Sequence, residues 1–148
     1  MLKGAAAGAA GTTVLNAVGY ADIAVRARPP SNTPQQVAAE LAKRAGLTVP
    51  GNDEQRENRL EGLGALAGLA TGVAVGAAAG ELRFVVLRLG PVLGSLVIGG
   101  AAMAVTDLGM AGLGVSDPRT WDATSWLSDA LPHLAYGAVT YATLRAMC

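Results

Sequence analysis

Charged residues divide the chain into long uncharged stretches. No Asp, Glu, Lys or Arg occurs in 4–21, 62–80, 89–106 or 130–144, runs of 18, 19, 18 and 15 residues. A membrane-crossing helix needs about 20 mostly apolar residues. The pattern predicts four spans, roughly 4–25, 61–81, 89–108 and 127–146. The last is short unless Asp129 and His133 sit near one membrane face. A soluble bundle would need a charged face at helical spacing on each helix, and these windows have none. The expected architecture is all-α: one membrane domain over 1–148, a polytopic bundle with four transmembrane helices. Residues 4–19 share features with a signal peptide. They are weakly hydrophobic and no convincing cleavage site follows, so a retained first helix is expected.

The one long polar stretch, 26–60, joins the first two spans. Pro29-Pro30 is expected to stop the first helix. Thr33-Pro34-Gln35-Gln36 reads as a helix start, with Thr33 as N-cap, Pro34 at the first helical position and Gln36 completing a capping box. Val37, Ala38, Leu41 and Ala45 make one apolar face, and Gly46 ends the segment. This short amphipathic helix suits the membrane surface, a partner or a cap on the bundle. Pro50-Gly51-Asn52 is a turn, and Asp53 is placed to cap the polar segment leading into the second span.

The second span carries the most specific pattern. Gly64, Gly68, Gly72, Gly76 and Gly80 recur every four residues. Small residues at this spacing let helix backbones approach closely in lipid. Four residues turn the helix by about 400°, so the row drifts by about 40° per glycine. With few large side chains, this span is expected at the centre of the bundle. Gly72→Leu should destabilise, while Gly64 and Gly80 should tolerate Ala better. The first span has a related row, Gly4, Gly8, Thr12, Asn16 and Tyr20; the third has Gly90, Gly94, Ser95 and Gly99. These rows serve packing within one chain or a glycine zipper between copies. None is a phosphate loop, because no glycine precedes Lys-Ser or Lys-Thr.

Alternating spans place Asp22, Glu61, Asp107, Asp129 and His133 at one membrane side, with Trp121 and Trp126. Lys3, Glu81, Arg83, Arg88 and Arg145 fall at the other. Asp129 and His133 lie one helical turn apart, and Pro132 between them frees a carbonyl. Two readings of Asp22, Asp107, Asp129 and His133 stand side by side. In one they are locally satisfied, Asp22 by Arg26. In the other they form a proton-responsive or metal-binding polar cluster, or a partner-binding site. One His with scattered Asp lacks metal-site spacing, so no metal or cofactor is expected. Seven Lys/Arg lie on the long-loop side and four on the other. That asymmetry puts the long loop in the cytoplasm.

Composition agrees with these expectations. The chain is 51% hydrophobic, 15% charged and 4% aromatic, with 20 glycines and zero formal net charge. Soluble domains average about 25% charge, and a nucleic-acid binder needs a basic excess. Cys148 is the one cysteine, so no disulfide framework exists within the chain.

Several short motifs together resemble a known group. They are Thr12-Thr13 in a small-residue first helix, Arg28-Pro29-Pro30 before a short helix, and the Gly-rich second span. Asp117-Pro118, Trp121, Trp126 and Pro132-His133-Leu134-Ala135-Tyr136-Gly137 follow. The order resembles the YagU-like group of uncharacterised small four-helix bacterial inner-membrane proteins. The resemblance implies a multi-pass protein of the bacterial plasma membrane and carries no biochemical activity. The Arg-over-Lys bias and the Ala/Gly content suit a GC-rich bacterium.

No nucleophile–base pair stands out, so a non-enzymatic role is expected. The chain reads as a packing or accessory component in the lipid bilayer, in a homo-oligomer or a larger membrane complex. The alternative is a small ion or proton conduit built on the Asp/His cluster.

Overall fold

Capping chemistry sets the helix boundaries. In the computed structural model, which describes residues 1–148, Asn52 accepts a hydrogen bond from Gln55 N at 2.9 Å, and its own N–H reaches Gln55 Oε1 at 3.2 Å. This reciprocal box opens α3 (Asp53–Glu81). The cap is thus Asn52, one residue before the expected Asp53, because Asn52 takes the extended backbone a cap requires. The same displacement affects α2 (Thr33–Arg44), whose cap is Asn32 rather than Thr33. Gln36 there reaches the Asn32 side chain at 2.8 Å. As expected, α2 ends at a left-handed Gly46 (φ 69°).

The remaining elements are α1 (Leu2–Arg26), α4 (Arg83–Arg88), α5 (Gly90–Leu113), a single 3₁₀ turn at Pro118–Thr120, and α6 (Ala123–Met147). There are no strands. The four uncharged windows each fall inside one long helix, except that Leu89, at the start of the third, is the junction between α4 and α5. Pro132 sits within α6 without ending it. The break at Leu82 and the short α4 fill the link between the second and third windows.

Three contacts made by glycine order the bundle. A Cβ on Gly4 would lie 2.8 Å from Gly80 Cα, and one on Gly8 2.9 Å from Gly76 Cα, while Gly72 faces Thr12. The expected rows of α1 and α3 therefore meet as an antiparallel ladder. Gly99 lies against the His133 carbonyl and Gly137 against Gly99, closing α5 on α6. Gly11 opens a slot on α1 that holds Tyr136 and Thr140 of α6. The helices follow the lateral order α3, α1, α6, α5, with α2 laid across α3. This corrects the expected place of the second span. The two-sided helices are α1 and α6, while Leu63, Leu66 and Leu69 of α3 point outward.

The five-glycine row is divided by its own drift. After Gly72, Gly76 and Gly80, the row has turned off the α1 contact. Nothing lies within 4 Å of a Cβ on Gly68, so that position does not pack as expected. Four steps from Gly80 amount to about 160°, and there Gly64 meets a different neighbour, the Pro34 backbone of α2 at 2.6 Å. Gly64 and Gly80 therefore both face backbone, which cannot swing aside, and the expectation that they tolerate Ala is overturned.

The interior is thin. Only 23 of 148 residues are buried, and the largest fully buried side chains are Tyr136, Leu144 and Thr140. Backbone contact replaces the bulky apolar core of a soluble domain. Two helices, α3 and α5, are long and apolar enough to cross a membrane, yet little of their apolar length is inside the fold.

At the long-loop end, Arg44 of α2 donates to the terminal carbonyls of α5, Gly112 at 3.2 Å and Leu113 at 3.1 Å. A cation at a helix C-terminus satisfies orphan acceptors and the helix dipole together. Glu40 holds the same guanidinium at 3.0 Å, so α2 ties α3 to α5 where those helices otherwise have little contact.

Candidate functional site

The end of α5 and the first turns of α6 bring Asp107, Asp129 and His133 together. Asp107 is 6% exposed and His133 8%. His133 Nδ1 lies 2.8 Å from the Asp129 carbonyl oxygen and 3.4 Å from its carboxylate. A carbonyl only accepts, so Nδ1 carries the hydrogen. On the other side of the ring, Nε2 faces Thr106 Oγ1 at 3.5 Å. Thr106 donates its own proton to the Met103 carbonyl at 2.9 Å, so it has none for Nε2, which carries no hydrogen in the neutral ring. Asp107 lies within electrostatic reach of both Asp129 and His133.

Two oxygens in this cluster, Asp107 Oδ1 and Asp129 Oδ2, are buried with no hydrogen-bond partner. Buried polar atoms are almost always satisfied; Gln35 Oε1 and Thr140 Oγ1 are likewise buried without a partner, but only here do two such oxygens belong to carboxylates of one cluster. No group of three or more His, Cys, Asp or Glu side chains has the arrangement to hold a metal ion.

Asp22 stands apart from the other three. Arg26 and Arg28 both bind its Oδ2, at 2.6 and 2.7 Å. Arg26 also reaches Ser128 Oγ at 2.5 Å, which ties the end of α1 to the start of α6. Of the four expected cluster residues, three meet, and the fourth, Asp22, is satisfied locally by Arg26 of its own helix and Arg28 just beyond it. Sequence spacing places all four at one end of the bundle. Helical spacing also gives the Arg26 pair, one turn along α1; it does not reveal that Arg28, beyond the end of α1, would fold back on Asp22 as well.

A polar stripe missed in the sequence continues from the cluster. Asp129, His133, Tyr136 and Thr140 succeed one another along α6 at intervals of four, three and four. That signal was present in the chain but masked by the apolar residues between them. Tyr136 passes over Gly11 and donates to the Gly72 carbonyl at 2.6 Å. Thr140 Oγ1 is buried and unpartnered. One turn further on, Leu144 is fully buried and closes the stripe.

The loops carry more ordinary electrostatics. The Arg44 guanidinium, hydrogen-bonded to Glu40, holds that carboxyl below its usual range, and Arg119 does the same for Asp117. Trp121 and Trp126 meet edge to face at 5.3 Å, with Trp121 Nε1 donating to Ser116 Oγ at 2.9 Å. Comparison of the chain with protein-family models, with curated proteins and with solved structures returns no match.

Proposed function

We propose that this chain is a four-span integral membrane protein of the bacterial plasma membrane, with a packing or accessory role and no catalysis. The observation that carries this reading is the outward face of the bundle. Leu63, Leu66 and Leu69 of α3, Val92, Leu93, Leu96 and Val97 of α5, and Leu127, Leu131 and Leu134 of α6 are all exposed. A soluble monomer rarely exposes so continuous an apolar surface, whereas lipid requires it. Exposed Tyr20 and the Trp121–Trp126 pair lie at the long-loop end, where interfacial aromatics are enriched. The resemblance to the YagU-like group points the same way.

A glycine zipper between copies has little left to use. Gly72, Gly76 and Gly80 are occupied by α1, so the accessory role rests on the remaining apolar faces. The reading is tested by topology. With Cys148 replaced by Ser, a cysteine at position 52 should label from one membrane side and a cysteine at position 3 from the other. Labelling of both from the same side overturns the four-span arrangement.

The unpartnered oxygens of Asp107 and Asp129 favour a second reading, a site that takes up a proton or small cation as the first stage of a conduit. The expected result in proteoliposomes is measurable proton flux that Asp107→Asn abolishes and Arg119→Gln leaves intact. Equal flux in wild type, Asp107→Asn and empty vesicles removes this reading. Because Leu144 blocks the stripe, the accessory role ranks first.

A further inference from the structure

The end of the bundle opposite the acidic cluster is built differently. On the long-loop side nearly every cation has a carboxylate. Arg26 and Arg28 share Asp22, Lys43 and Arg44 share Glu40, Arg56 has Asp53, and Arg119 has Asp117. At the other end Lys3, Arg83, Arg88 and Arg145 face a single acid, Glu81, which pairs with the amino terminus at 2.5 Å. Lys3 donates to the Met147 carbonyl, and Arg83 lies 4.4 Å from the centroid of the Phe84 ring. None of these four cations has a carboxylate partner. They form a positive rim whose one acidic side chain, Glu81, is held by the amino terminus and lies within electrostatic reach of Arg83.

A groove of about 560 Å³ opens at this rim between the first turns of α5 and the last turns of α6. Pro91, Ala138, Ala142 and Ala146 make its walls mostly apolar, with Tyr141 at the base and Arg145 within it. The groove has a packing cause. The Tyr141 ring lies over Gly94, with the ring carbon Cδ2 2.6 Å from where a Cβ would stand. It is thereby drawn inward, and the flanking alanines are too short to fill the space it leaves. Ser95 is already satisfied by the Pro91 carbonyl at 2.6 Å, so the free polar group in the groove is the exposed guanidinium of Arg145.

We infer that this groove holds one anionic phospholipid of the surrounding bilayer, an acyl chain against the Ala138–Ala142 wall and the phosphate on Arg145. Charge complementarity selects the occupant. An apolar slot that ends in an unpaired arginine, on a rim with excess positive charge, matches a molecule that is a hydrocarbon at one end and an anion at the other. A zwitterionic lipid fits the slot equally well but brings no net charge to the rim. The inference rests on the four-span reading, and the experiment separates the two.

Membranes containing the protein are first extracted with alkaline carbonate. Release into the supernatant overturns the four-span reading and the lipid site with it. Protein retained in the pellet is purified in detergent and offered equal amounts of phosphatidylglycerol and phosphatidylcholine, with retained lipid counted by native mass spectrometry. The wild type is expected to keep one phosphatidylglycerol in preference to phosphatidylcholine. Arg145→Gln should weaken that retention about fivefold, the effect of one basic residue near an anionic surface. Ala142→Leu should abolish it by filling the slot. Glycerol phosphate, the headgroup without its chains, should not compete; if it does, free phosphate rather than lipid is the ligand and the inference fails. Both substituted side chains are exposed, and matching melting temperatures verify the fold. If Ala142→Leu melts lower, Arg145→Gln decides alone. Equal retention of the two lipids, or wild-type retention in Arg145→Gln, overturns the site while leaving the four-span reading in place.

Discussion

Gly76→Leu should cost about 3 kcal/mol, the upper end of overpacking penalties, and lower the melting temperature in detergent more than any other substitution in the glycine row. Gly76 is pressed between Gly8 and Gly4 of α1; a side chain there meets Gly8 N at 2.5 Å and the Gly4 carbonyl at 2.7 Å. Both are backbone atoms of a helix, so the only relief is to move α1 away from α3. That displacement also opens the Gly4–Gly80 contact and draws Thr12 off Gly72, since all three belong to one rigid ladder. Gly68→Ala is the internal control. It adds a methyl group in open space and removes a helix-weakening glycine, so it should be neutral or stabilising by up to about 1 kcal/mol. Thermal unfolding of the two variants beside the wild type checks the pair. If Gly76→Leu melts with the wild type, the α1–α3 ladder does not hold this fold together.

Tyr136→Ala is the second large effect, with an expected loss of about 3–5 kcal/mol, typical of an aromatic removed from a closed site. Tyr136 is fully buried and belongs to α6, yet it crosses α1 at Gly11 and ends on α3 at the Gly72 carbonyl. One side chain thus joins three helices, and its removal leaves a cavity where they converge. Tyr136→Phe separates the contributions. It keeps the ring and deletes one neutral hydrogen bond, so it should cost about 1 kcal/mol. Unfolding of both variants by denaturant in mixed micelles gives the comparison. Equal losses for Phe and Ala would mean that the hydroxyl rather than the ring carries the junction. Gly11→Ala should mimic the larger loss, because its methyl group would displace the ring it now accommodates.

The two ends of the bundle divide the chemistry. The long-loop end neutralises its charges locally and buries one cluster whose oxygens are unsatisfied. The opposite end leaves its cationic side chains without carboxylate partners. Neither arrangement follows from the number of charges on each side. The end with more Lys and Arg is the one where they are spent on internal pairs.

Much of the architecture was legible in the chain. The uncharged windows place four long helices because a stretch without charge has no polar face to turn to water. Asp129 and His133 share a face because of helical periodicity alone, and the small-residue rows announce close contacts. Their partners are another matter. A four-residue repeat shows that a helix can be approached closely but not by which neighbour, and its drift is felt only when the neighbours stand at fixed angles. Tertiary packing therefore decided that Gly72–Gly80 face α1, that Gly64 faces α2, and that Gly68 faces nothing. It also decided that Asp22 stays out of the acidic cluster: helical spacing supplies Arg26, but the second arginine, Arg28, comes from a link whose path no periodicity encodes. Local sequence sets backbone conformation and surface polarity over a few turns. Contacts between segments tens of residues apart depend on the positions of whole helices, and those follow only when every face has been packed at once.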